Sequence, residues 1–251
     1  VNAALASLLA ALAVAAEPPP PAQLAVAAAA NLKPALDDLA RTFEASRPGV
    51  RVAVTYGASG AIFSQLRNGA PFDVFLSADR DYPRKALAEG LAADEVVYAV
   101  GRLAVWLPPG AKADVEGRGL AALSGPGVRR VAIANPAVAP YGRAAEAALR
   151  SAGVLAEVKA KLVLGESVAQ AAAFAHSGAA DAAILPLSLA RAPALAGGRV
   201  VPVDPALHPP IEQSAVVPAG ARSAALARAF LEHVRGEIGR ATLVKHGYLA
   251  P

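Results

Sequence analysis

From residue 24 onward the chain repeats one arrangement: a short apolar run of β-forming character, then a stretch whose large apolar residues recur at helical spacing. Strand followed by helix, again and again, is the grammar of an α/β fold, because parallel strands need a crossover long enough to hold a helix. "LAVAAAA" (24–30) leads into "NLKPALDDLARTFEASRPG", where Leu32, Leu36, Leu39 and Phe43 share a face. Pro34 falls in the first turn, where a missing N–H costs little. "VRVAVTY" (50–56) leads into "SGAIFSQLRNG", with Ile62, Phe63 and Leu66 on one side and Asn68-Gly69 as a stop. "FDVFLSAD" (72–79) reads as a third strand, followed by a helix that ends at Gly90.

The arrangement is interrupted at "VVYAVGRLAVWLPPG" (96–110), a β-rich run long enough to cross from one lobe to another, and then restarts. "RRVAIAN" (129–135), "AKLVLG" (160–165) and "DAAILPLSLA" (181–190) read as strands, and Ser167 to Gln170 as a capping box opening the helix after the second of them. "IEQSAVVP" (211–218) reads as a return crossing and "RSAALARAFLEHVRGEIG" as one final helix. The expected architecture is two α/β lobes: residues 23–100 with 214–251 in the first, and 101–213 in the second. The elements repeat in kind, but no sequence repeat accompanies them.

Residues 1–22 read differently. "VNAALASLLAALAVAA" is an apolar run ending in small residues, as a secretory leader does, although no Lys or Arg precedes it; an Ala-rich helix is the alternative. "EPPPPA" after it reads as an extended spacer. The chain has no cysteine, which excludes disulfides, thiolate metal sites and a lipid-modified cysteine, so the expected location is free in a periplasm.

A net charge of +4 is spread thinly, and its most notable cluster is Arg129-Arg130; with few aromatic residues to stack bases, no nucleic-acid partner is expected. The four histidines, His176, His208, His233 and His246, show no metal-ligand spacing, and no glycine-rich nucleotide loop is present. Around Ser59 the order Gly57-Ala58-Ser59-Gly60 places the second glycine one residue too early for a nucleophile elbow. A triad of Ser59, Asp204 and His208 is the hydrolase alternative, and Pro205 gives its last two members the look of an unrelated loop. No enzymatic activity is therefore expected.

Four strand-to-helix junctions remain: Ala30-Asn31, Ala58-Ser59-Gly60, Pro140-Tyr141-Gly142 and Ser167-Val168. Helix N-termini at the carboxyl ends of strands present unpaired N–H groups and partial positive charge, which suits an anion. Each junction alone is ordinary capping. Two in each lobe point to a shared site, with Arg143 and Glu166 beside it as residues of unassigned role.

"AVAAAANLKPALDDLA", "GASG", "NGAPFDVFLSAD", "NPAVAPYG" and "GESVAQAAAFAHSGAADAAILP", in this order, resemble the periplasmic molybdate-binding proteins, the solute receptors of molybdate ABC transporters. The resemblance implies a two-lobed type II periplasmic binding protein fold, each lobe a mixed, mostly parallel sheet flanked by helices, with two crossing segments as hinge. It also implies a monomer that binds molybdate or tungstate, needs no cofactor, and delivers its ligand to a membrane permease. Carried over by motif, the oxyanion would be held by Ala30, Asn31, Ser59 (hydroxyl and N–H), Tyr141 (phenol) and Val168 (N–H), with molybdenum present only as the oxyanion. Many relatives have Ser in place of Ala30 and a Tyr where Pro186 stands, so Tyr141 would supply the missing phenol. Sulfate, a dianion of the same shape, is the competing ligand; protonated phosphate would need an acceptor that these residues do not offer.

Overall fold

The computed structural model describes residues 22–251, so the leader and spacer read into the preceding residues lie outside it. The first lobe opens with β1 (Ala22–Ala29), α1 (Lys33–Ser46), β2 (Val50–Gly57), α2 (Ser59–Arg67), β3 (Val74–Leu76), α3 (Asp81–Ala88) and β4 (Ala92–Gly101). The second contains β5 (Leu103–Leu107), α4 (Val115–Arg118), β6 (Val131–Ala134), α5 (Pro140–Ser151), α6 (Leu155–Lys159), β7 (Leu162–Gly165), α7 (Val168–His176), β8 (Ala182–Pro186), α8 (Leu187–Ala190) and β9 (Arg199–Pro202). The chain then returns through β10 (Ile211–Pro218) and ends in α9 (Ala224–Arg235) and α10 (Glu237–Lys245).

Two five-stranded sheets result, in the orders β2-β1-β3-β10-β4 and β7-β6-β8-β5-β9. The βα strands pair in parallel, β1 with β2 and β3, and β6 with β7 and β8. The crossing and edge strands β10, β4, β5 and β9 pair antiparallel, so each sheet is mixed. The chain passes between the sheets at Arg102, and β10 joins the first sheet from Ile211, where it pairs with Gly101.

Central position explains the composition of β1. Leu24, Val26, Ala27 and Ala28 are fully buried, as expected of a strand covered on both faces. On one side, Leu36, Leu39 and Phe43 of α1 pack with Phe230 and Val234 of α9; on the other, Ile62, Phe63 and Leu66 of α2 pack with Phe75 and Tyr82. Pro34 sits in the first turn of α1, as its missing N–H requires.

Three expectations change in detail. "FDVFLSAD" contributes only Val74–Leu76 to the sheet; beside it Asp73 accepts from the Ala25 and Ser223 N–H groups, and Asp79 from the Ser77 hydroxyl. "DAAILPLSLA" is a strand only to Pro186, which is extended and starts the helical turn α8. The expected final helix is two helices, because Gly236 is extended (φ −68°, ψ −178°) and ends one while starting the other. Gly239 then lies so close to the Val234 carbonyl oxygen that a Cβ there would approach it to 2.0 Å.

Candidate oxyanion site between the lobes

In each sheet one interior strand, β1 in the first and β6 in the second, has the next parallel strand (β2, β7) on one side and the one after that (β3, β8) on the other. The carboxyl end of that interior strand is therefore a topological switch point, where a crevice opens between divergent connections. Ala30 and Asn31 follow β1 directly in a 3-10 turn (Ala30–Leu32), and Ser59 opens α2 after β2. In the second sheet Tyr141 lies in the first turn of α5 after β6, and Val168 opens α7 after β7. Junctions of the two lobes meet here, the start of α2 against the turn before α5 through Gly60 N–H and the Val138 carbonyl. All five residues line one small interlobe cavity of about 10 Å³, room for the centre of a water-sized sphere and little more.

The walls of the cavity are buried: Ser59 is 0% exposed, Asn31 1%, Tyr141 2% and Ala30 4%. Ala29, Ala30, Ala58 and Ala78 of the first lobe join the apolar core of the second, and their small side chains let the strand ends approach. Gly60 N–H donates across the cleft to the Val138 carbonyl at 3.0 Å, and Ser188 Oγ donates to the Asn31 carbonyl at 2.9 Å. Arg143 pairs with Asp79 from the opposite lobe and lies over the Tyr82 ring at 5.6 Å.

The polar groups lining the cavity are mainly donors. The N–H groups at the start of a helix have no acceptor within it. Those of Ala30, Asn31, Ser59 and Val168 have no other acceptor among the described residues. Ser59 does not cap its helix: Ala58 holds the cap position, and Ser59 Oγ accepts from Ala78 N–H at 3.0 Å, leaving its own proton to donate. Ser167 does cap α7, but the box closes one residue early, with Gln170 Oε1 accepting from Glu166 N–H at 2.6 Å. Tyr141 Oη accepts from Gln213 Nε2 at 2.8 Å, and burial pushes its phenol well above the ordinary value, so it is a neutral donor at any physiological pH.

No Lys, Arg, Asp or Glu lines this cavity. Arg143 and Glu166 are therefore not among its walls. A wider cleft of about 410 Å³ lies alongside and is lined by Arg80, Arg84, Arg143, Asp79, Asp81 and Glu212. Its charges are largely committed to one another and to Glu95, with Arg80 bridging Glu95 at 2.7 Å and Glu212 at 3.3 Å. Burial pushes the Asp79 carboxyl up from its ordinary value, while the Ser77 hydroxyl and Arg143 guanidinium pull it down.

The hydrolase triad does not assemble. Asp204 caps the turn that follows it, His208 Nδ1 bonds to the Pro209 carbonyl at 2.8 Å, and no histidine bonds to Ser59 among the described residues. The structure adds residues that the motifs did not single out: Gln213, Tyr98, Tyr248 and Ser188 form a buried hydrogen-bonded chain behind Asn31 and Tyr141. The period-two pattern of "IEQSAVVP" held the signal, since it puts polar Gln213 on the same face as buried Ile211. Asn31 Oδ1 is the one buried side-chain N or O atom among the described residues with no partner.

Gly142, beside Tyr141, packs α5 directly on β6: a Cβ there would stand 2.2 Å from the Ala134 carbonyl oxygen. Gly142→Ala is expected to lower stability by about 1–3 kcal/mol, because backbone cannot yield as a side-chain tip can. Thermal or urea unfolding without ligand checks this.

Two lobes joined by two crossings, with a small cavity lined by helix starts from both lobes between them, define a solute-binding protein of the bilobal type. Residues 24–249 match the family described as bacterial extracellular solute-binding protein, and the chain belongs to that family. It is 36% identical to the molybdate-binding protein ModA of Azotobacter vinelandii, over 90% of each chain. It is 34% identical to ModA of Rhodobacter capsulatus, over 92% of this chain and 90% of that one. The solved structure of the Azotobacter vinelandii periplasmic molybdate-binding protein superposes with a TM-score of 0.83 at 35% identity, covering 91% of this chain and 99% of that one. The sulfate-binding protein SubI of Mycobacterium tuberculosis shares the fold alone, at 19% identity and a TM-score of 0.75 over 90% of this chain and 86% of that one.

Proposed function

We propose that this protein is a periplasmic receptor that captures molybdate, and tungstate with it, between its lobes and delivers it to an ABC transporter. One observation carries the reading: a cavity with buried walls and no charged side chain, lined by N–H and O–H groups whose protons have no acceptor of their own. A fully ionised tetrahedral oxyanion offers acceptors only, so such a wall satisfies it without burying an opposing charge. The similarity to molybdate-binding relatives over nine-tenths of the chain supports molybdate as the ion.

In this reading Ala30, Asn31 and Val168 donate through backbone N–H groups, Ser59 through N–H and hydroxyl, and Tyr141 through its phenol. Donors come from both lobes, so the ion is enclosed only when the lobes meet. Closure then reports occupancy to a membrane permease that contacts both lobes. The receptor acts as a monomer, exported by a leader, and performs no chemistry on its cargo. For a five-atom ligand, a ceiling of about −1.5 kcal/mol per atom gives about −7.5 kcal/mol, or low-micromolar affinity, and a charged ligand in a preorganised site can exceed it.

A thermal-shift panel of molybdate, tungstate, sulfate and phosphate tests the assignment. Molybdate and tungstate are expected to raise the melting temperature at ligand concentrations where sulfate and phosphate do not. A rise with sulfate alone would transfer the site to that ion, since the two dianions share shape and charge and differ in size.

A further inference from the structure

Behind the cavity, one buried amide joins the two lobes. Gln213 lies on β10, is 0% exposed, and donates from Nε2 to Tyr141 Oη at 2.8 Å. Its Oε1 accepts from Asn31 Nδ2 at 3.0 Å and lies 3.0 Å from Tyr98 Oη, whose single proton is shared with the Ser77 carbonyl at 2.7 Å. Asn31 Nδ2 also donates to Tyr248 Oη at 2.9 Å, and Tyr248 in turn donates to the Asn31 carbonyl at 2.8 Å. Turning the Gln213 amide alone would set Nε2 against the Asn31 Nδ2 hydrogens, so the two amides keep or reverse their direction together.

A phenol oxygen that receives a hydrogen bond from an amide must aim its own proton elsewhere. Gly101 makes room for the arrangement, because a Cβ there would stand 2.0 Å from Tyr141 Oη and 2.6 Å from Gln213 Nε2.

We infer that Gln213 is a positioning residue that sets the hydrogen-bond polarity of the site: by donating to Tyr141 it turns the phenol proton toward the oxyanion and so favours fully ionised ligands over protonated ones. The inference rests on the oxyanion-receptor reading above. Gln213 itself is not among the residues lining the cavity. Reversing both amides, Gln213 and Asn31 together, would send the Tyr141 proton to Gln213 and leave Asn31 Nδ2, in place of Oδ1, with one position unpartnered. The two polarities differ in what Tyr141 gives the ligand.

A double-mutant cycle separates them, with molybdate affinity measured by titration calorimetry and folding checked by melting. Gln213→Glu offers the phenol an acceptor in place of a donor and is expected to weaken binding about tenfold or more. Tyr141→Phe is expected to weaken it by a similar factor, and the double variant to bind no worse than Tyr141→Phe alone, since both remove one donor. Losses that multiply in the double variant, or an unchanged affinity in Tyr141→Phe, would overturn the assignment. If Gln213→Glu does not fold, Gln213→Met takes its place in the same cycle under the same criterion.

A ligand-free arm keeps the two readings apart. If the wild-type protein binds none of the four oxyanions, the functional reading fails. The polarity is then read from the Gln213 side-chain amide resonance, which Tyr141→Phe shifts when Nε2 is the donor. An unmoved resonance would overturn the polarity by itself.

Discussion

Ser59→Ala lowers molybdate affinity about 10- to 150-fold in titration calorimetry, the effect of losing one hydrogen bond to a charged acceptor, about 1.5–3 kcal/mol. The structure adds a second consequence. Ser59 Oγ is the acceptor of the Ala78 N–H, and Ala78 is itself buried, so the alanine variant also strands a backbone donor. Unliganded protein should therefore lose about 1–3 kcal/mol of stability as well. The two losses are separable, because melting without ligand reads only the second. An affinity that does not change would remove Ser59 from the site, and labelling of Ser59 by a fluorophosphonate probe would reopen the hydrolase alternative.

Val168→Pro should cost a comparable 10- to 150-fold in affinity through the backbone alone. Val168 is the first residue of α7, where proline is well tolerated because the N–H it lacks has no partner in the helix. Ser167 before it is extended, with φ −145° and ψ 170°, which is the conformation a following proline demands. Helix α7 and its Ser167 cap should survive, so the unliganded melting temperature should move little. A proline variant that binds molybdate as the wild type does would show that this N–H plays no part.

Much of the architecture was legible in the residues because it depends on local pattern. The 3.6-residue spacing of Leu36, Leu39 and Phe43, the Pro34 and Asn68-Gly69 punctuation, and the unbroken apolar run of β1 each specify one element whatever surrounds it. Where the reading missed, a local signal was weak or was overruled. Gly236 divides a segment whose apolar spacing continues through the break, and Pro186 ends a strand that the neighbouring leucines seemed to prolong.

The candidate site was legible for a related reason. Helix N-termini are set by short-range pattern, so the junctions at Ala30-Asn31, Ser59, Tyr141 and Val168 were visible, and the family resemblance assigned their roles. Gln213 had no such signal beyond one polar residue on a buried strand face. Its importance lies in contacts across the chain: its partners Asn31, Tyr98 and Tyr141 are 72 to 182 residues away, with Tyr98 at 115.

By itself the sequence determined that this chain makes paired α/β lobes and that each offers two helix starts at strand ends, since period, capping and punctuation act within a few residues. Only the tertiary structure decided that the four junctions meet around one cavity, that Ser59 binds Ala78 rather than capping its helix, and that Gln213 stands beside the Tyr141 phenol. Those are properties of contacts between distant segments, and a hydrogen bond acquires its direction only when both partners are in place.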